Sequence, residues 1–241
     1  MSFDHSIASV DLLRVSRVLE KFALREFDSY SLTGSLATEA HRMRLGTVPH
    51  ARPLNDVDLL VQSFSVIPSA LSTDFLVRHV HPDAPKGKML IQLVDPDEVL
   101  RIDIFREYGA TIARSQSMRF GTRLIQVTSL DDLAARIASI LMDLERGRVV
   151  ARKHVEDFHF LSQAVDVDRV ELAWQDHRKP TDPSAFREAL TQIRGLVESH
   201  NELIVVPEYS RDANAACSKC EETGPFRLAS ASAVMSILGY C

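Results

Sequence analysis

The sequence predicts a mixed α/β (α+β) fold, a mixed sheet flanked by helices with a C-terminal helical region, on three observations. Short apolar runs with period-two alternation, "DVDLLV" and "LRIDIF" among them, occupy the first half of the 241 residues. Helical periodicity brackets those runs, and from Ser129 to about residue 200 the periodic segments are all helical. A composition of 45% hydrophobic and 25% charged residues, in a chain of this length, buries an adequate core without disulfide staples. The expected organisation is an α/β core over residues 1–128, a helical region over 129–200 and a tail over 201–241.

Each element has its own local reason. Ser6 to Phe27 places Ile7, Val10, Leu13, Val18 and Phe22 at helical spacing between charged residues, so it reads as an amphipathic first helix packed on a sheet. "SYSLTGS" is a short strand broken at Gly34-Ser35, and "LATEAHRMR" continues from that turn as a helix. The loop "GTVPHARP" leads into the strand "DVDLLV", whose period puts Asp56 and Asp58 on one face and Val57 and Leu59 on the other. "MLIQLVDPDEVLRIDIF" reads as a hairpin that turns at Asp95-Pro96-Asp97, with Asp103 facing away from Ile102 and Ile104. After a last strand in "TRLIQVTS", Ser129 with Asp132 caps a helix running to about Glu145. Two further helices are expected, Arg152 to Gln163 and, from the start signal Asp182-Pro183, Ser184 to Ser199 with Phe186, Leu190, Ile193 and Val197 on one stripe.

Charge and composition narrow the functions. A formal net charge of −5 supplies no global field for nucleic acid, which leaves only a local basic patch for that purpose. The start "MSFDHSIASV" lacks the pattern of a secretory leader, and no run of about eighteen apolar residues occurs, so a cytoplasmic location and no membrane partner are expected. His41, His50, His79 and His81 lack metal-site spacing and are expected on loops or surfaces.

Asp is depleted in strands, yet three strand positions carry it here, after a Gly-Ser turn at a strand-to-helix junction. Such carboxylates suit metal-assisted phosphoryl transfer. Two divalent ions about 3.5 to 4 Å apart clamp the attacking and leaving oxygens of a displacement at phosphorus, and Mg²⁺ prefers carboxylate oxygen. A glycine at a helix start lets the backbone approach a phosphate, and the first helical N–H groups bond its oxygens.

In "LTGSLA", "RPLNDVDLLV", "LRIDIF", "SLDDLAARIASIL" and "ARKHVEDFHFL", spanning roughly residues 30 to 165, the chain resembles the nucleotidyltransferase superfamily. It looks most like the branch that includes toxin components of abortive-infection systems and minimal nucleotidyltransferases. The resemblance implies Mg²⁺-dependent transfer of a nucleoside monophosphate from a nucleoside triphosphate, ATP among them, to a hydroxyl on RNA, protein or a small molecule. By the same likeness Asp56, Asp58 and Asp103 are the metal-binding and catalytic acids, Asp103 also activating the acceptor. Gly34, Ser35 and Lys153 then hold the nucleotide, with Asp157 supporting the helix of Lys153. The chain departs from the pattern at Leu54, His154 and Arg136 and in the length of the Gly34-to-Asp56 stretch. The alternative reading is a non-catalytic, partner-binding protein that retains the same fold.

All three cysteines, Cys217, Cys220 and Cys241, lie in the tail. Cys217-x-x-Cys220 is half of a tetrahedral zinc site to which Cys241 adds a third ligand; His200, water or a cysteine of another chain would complete it. The competing reading is three reduced thiols.

Overall fold

The computed structural model describes residues 9–47, 54, 56–80 and 90–206. Two compact units emerge. Among the described residues, one takes those up to Glu107 together with Ser117–Val127, and the other takes Tyr108–Gln116 and everything from Thr128 onward.

The first unit is built on a seven-stranded sheet of spatial order β3-β4-β5-β2-β1-β7-β6. Its strands are β1 (Ser31–Thr33), β2 (Asp56–Val61), β3 (Leu76–Val80), β4 (Leu90–Asp95), β5 (Leu100–Arg106), β6 (Gln116–Phe120) and β7 (Arg123–Val127). At its centre β2 runs parallel to β5 and antiparallel to β1, while β4 and β5 form the expected hairpin. Asp95 shapes the hairpin turn by accepting the backbone N–H of Asp97 and of Glu98 at 2.9 and 3.1 Å. Asp and Pro favour such a turn because the side chain imitates a backbone acceptor while the ring presets φ.

Helix α1 (Ser9–Leu24) covers the sheet with Val15, Val18, Leu19 and Phe22 fully buried, and the Phe22 ring meets Phe27, Tyr30 and Phe75. Leu13, expected on the buried stripe, is 52% exposed, because the core-facing stripe passes through Val15, Val18 and Phe22. Lys21 of this helix closes on the carboxylates of Asp95 and Asp97 at 2.8 and 2.7 Å, tying α1 to the hairpin turn. Helix α2 (Gly34–Arg44) follows β1 without a loop. Its polar run is buried, His41 completely, so the expectation of a loop or surface position is wrong for that histidine. His79 lies in β3, and His50 and His81 fall outside the described residues.

The second unit is helical: α3 (Leu130–Leu141), α4 (Arg152–Ala164), α5 (Val167–His177) and α6 (Phe186–Ser199), with the short parallel pair β8 (Val150–Ala151) and β9 (Ile204–Val205). Helix α3 is its core, with Leu133, Ala134, Ala135, Ala138 and Leu141 nearly or wholly out of solvent. Ser129 caps it as expected, accepting the N–H of Asp132 at 3.1 Å. The sequence reading has two helices between Glu145 and residue 200; among the described residues there are three. Helix α5 starts behind Asp166, which accepts the N–H of Asp168 at 3.0 Å, and buries Trp174 against Phe186. Asp182-Pro183 does not start the last helix. The Asp182 carboxylate is consumed by the Lys179 N–H at 2.7 Å and the Arg146 guanidinium at 2.5 Å, and α6 begins at Phe186, whose N–H is taken by Glu171 at 2.8 Å. Among the described residues no helix is long and apolar enough to cross a membrane.

Candidate active site

Period-two geometry and strand register together gather the three acids. In β2 the carboxylates of Asp56 and Asp58 share one face while Val57 and Leu59 are completely buried on the other. The parallel pairing of β2 with β5 sets Asp58 beside Asp103 and Asp56 beside Arg101. Each of the three acids offers an oxygen, and these oxygens all lie within 4.8 Å of one another. Asp103 is the most enclosed, 8% exposed, whereas Asp56 and Asp58 are half-buried.

On the other side of β2, the antiparallel pairing with β1 sets Thr33 beside Asp58, and α2 starts at the next residue. Gly34 stands there with φ +65°, a left-handed conformation, and a Cβ at this position would come within 2.0 Å of Asp58 Oδ2. Both facts require glycine: a side chain would be strained in the backbone and would strike a carboxylate. Thr33, the residue preceding α2, makes no side-chain cap to the first helical N–H groups. Gly34 therefore adjoins Asp58, and Ser35 follows it in the first turn of α2.

Two further side chains belong to the cluster and were missed from sequence. The Arg101 guanidinium donates to Asp56 Oδ2 and lies 3.4 Å, through Nε, from Asp103 Oδ1. Burial opposes its charge, but Asp103, Asp56 and Asp58 more than compensate and hold its pKa above the ordinary arginine value. Gln92, 2% exposed on β4 and paired in register with Asp103, donates Nε2–H to Asp103 Oδ1 at 2.8 Å, and its own Oε1 is a buried acceptor without a partner among the described residues. Signals for both were present. Arg101 lies two residues before Asp103 on the same strand face, and Gln92 is the one polar residue in the arm "LIQLV" facing Asp103 across the hairpin.

Lys153 lies half-buried in the first turn of α4 in the helical unit, on the same helix as the buried Asp157. Arg136 of α3 stacks over the Tyr108 ring, 4.8 Å from its centroid, in a cation–π contact. Leu54 is buried and its N–H donates to Asp11 at 3.3 Å, so an apolar side chain suits that position. Cys217, Cys220 and Cys241 lie outside the described residues; His200, the histidine considered with them, is 3.6 Å from Glu202.

No family model and no curated protein matches the chain. Solved structures do. The solution structure of the antibiotic-resistance factor ANT(2'')-Ia matches with a TM-score of 0.50 at 13% identity, over 80% of this chain and 99% of its own. ANT(2'')-Ia in complex with adenylyl-2''-tobramycin gives a TM-score of 0.47 at 14% identity, over 75% and 98%. An antigenic nucleotidyltransferase-like protein from Paracoccidioides brasiliensis gives 0.45 at 16% identity, over 82% and 95%. The first likeness is one of fold. A mixed sheet flanked by helices, of the nucleotidyltransferase type, is the architecture of this chain.

Proposed function

We propose that this protein is a Mg²⁺-dependent nucleotidyltransferase that moves a nucleoside monophosphate from a nucleoside triphosphate to a hydroxyl acceptor and releases pyrophosphate. The observation that carries the proposal is the convergence of Asp56, Asp58 and Asp103 within 4.8 Å, beside a glycine that admits no side chain. The donor set fits the ion, since Mg²⁺ takes hard carboxylate oxygens and the three acids each offer one. When bound, Mg²⁺ neutralises charge on the triphosphate and its leaving group.

The chain's own residues do the rest. Asp56 and Asp58 hold the ion from adjacent positions on one strand face, and Gln92 orients Asp103, which accepts the proton of the incoming hydroxyl. Gly34 and Ser35 offer backbone N–H groups and a hydroxyl to phosphate oxygens. Lys153 is assigned to the triphosphate on the family resemblance alone. The resemblance to the abortive-infection branch extends the proposal to a toxin-like role, in which expression of the wild type arrests bacterial growth and a D56N/D58N variant does not.

The decisive experiment supplies labelled nucleoside triphosphates, Mg²⁺ and a cell extract. Label transferred by the wild type and not by D56N/D58N supports the proposal and identifies the acceptor as RNA, protein or small molecule. The absence of both transfer and any nucleotide-dependent rise in Tm overturns it. A second reading, a non-catalytic partner-binding protein on the same fold, draws on the Arg101 contact with Asp56, because the guanidinium occupies an acid that catalysis needs. That reading requires the negative result.

A further inference from the structure

The basic side chain of Arg101 sits against the acid cluster. Arg101 faces the same side of β5 as Asp103, is paired in register with Asp56, and is 20% exposed. Its guanidinium touches two of the three proposed metal ligands, Asp56 and Asp103. Three carboxylates this close repel one another unless a cation lies among them, and among the described residues Arg101 is the cation seen bridging two of them. A divalent ion on the same oxygens would meet a fixed positive charge a few ångströms away, which lowers its affinity steeply in a partly buried site. Its contacts with the acids run through Nη2 and Nε, and a guanidinium carries five N–H donors in all. A planar fork with a donor to spare is suited to phosphate oxygens, and its long stem can turn.

We propose that Arg101 is a built-in competitor for the divalent ion: without metal it bridges Asp56 and Asp103, and the ion enters as a metal–triphosphate complex whose phosphate oxygens take over the guanidinium. This rests on the nucleotidyltransferase reading above. Free metal then binds weakly, and nucleotide and metal bind as a pair. No covalent step is involved; one ion pair is exchanged for another.

The test is the binding of Mn²⁺, measured by calorimetry and by electron paramagnetic resonance, on the full chain without turnover. R101Q should bind Mn²⁺ alone about tenfold or more tightly than the wild type. R101K, whose single ammonium bridges two acids less well, should fall between them. For the wild type itself, a Mn²⁺ complex of a non-hydrolysable triphosphate analogue should bind at least about tenfold more tightly than Mn²⁺ alone, a gain that shrinks in R101Q. This last comparison keeps the proposal testable if R101Q does not fold. Equal or weaker Mn²⁺ binding by R101Q and R101K, with D58N abolishing wild-type binding, overturns the role of Arg101 and leaves the metal site intact. So does an analogue complex that binds the wild type no better than Mn²⁺ alone. Absence of Mn²⁺ binding in every protein, with and without the analogue, overturns both the competitor and the site itself.

Discussion

Asp132 and Asp103 are both enclosed carboxylates, one in the helical unit and one in the sheet unit, and their surroundings differ in kind. Asp132, completely buried, accepts from the Arg114 guanidinium at 2.6 and 2.9 Å, from the Ser129 hydroxyl at 2.6 Å and from His177 Nε2 at 3.1 Å. Burial alone would raise its pKa, but hydrogen bonds from His177, Arg114 and Ser129 prevail and bring it down to about 2. Asp103 instead has two other carboxylates within 4.8 Å, one amide donor and one edge of a guanidinium. The first arrangement is complete and serves stability. The second sets three carboxylates close together in a partly enclosed place, the arrangement of a candidate cation site.

The contrast sets expected outcomes of decreasing size. D58N and D103N should each reduce nucleotidyl transfer by about a thousandfold while Tm holds or rises, because a repulsive charge is removed; labelled-nucleotide assays and thermal melts check this. D132N should do the reverse. It leaves Arg114 without its main partner and weakens the bond from His177, so denaturant unfolding should show a loss of about 3 kcal/mol, with Mn²⁺ affinity at the acid cluster unchanged. Gly34→Ala joins both kinds of effect: its Cβ would strike Asp58 in a backbone conformation unfavourable to alanine, costing about 2 kcal/mol and most of the metal affinity. Ser129→Ala removes one cap of α3 and should cost about 1 kcal/mol in the same unfolding assay.

Acid titration separates the partners of Asp132. Its folded pKa of about 2 lies below the ordinary 3.8, so its contribution is complete above that value and is lost as pH falls toward 2. His177 acts in the same direction at higher pH. Burial depresses its pKa below 6.5 despite the pull of Asp132, and its Nδ1 is buried without a partner among the described residues, so protons favour the unfolded chain as pH drops below about 6.5. Unfolding free energy should therefore decline between neutral pH and pH 5 in the wild type, with a flatter decline in H177Q.

Legibility followed the strength of local patterns. The β4–β5 hairpin, the capped start of α3 and the placing of Asp56 and Asp58 on one face were readable because turn chemistry, capping and period two act within a few residues. Edge strands β3 and β6 were not read. Each has one neighbour in the sheet, and β6 is a five-residue strand whose alternation rests on two buried side chains, Met118 and Phe120. Helix α5 was passed over although Asp166 and Trp174 marked it, and Asp182 was misread because its carboxylate is claimed by Arg146 and Lys179 from outside the next helix.

By itself the sequence determined the fold class, the acids and the order of strand, glycine turn and helix, since these depend on neighbours along the chain. Tertiary structure alone decided that β5 lies parallel beside β2, which brings Asp103 level with Asp58 and puts Arg101 against Asp56. Register between strands separated by some forty residues is set by how whole faces bury together, and no local pattern encodes it.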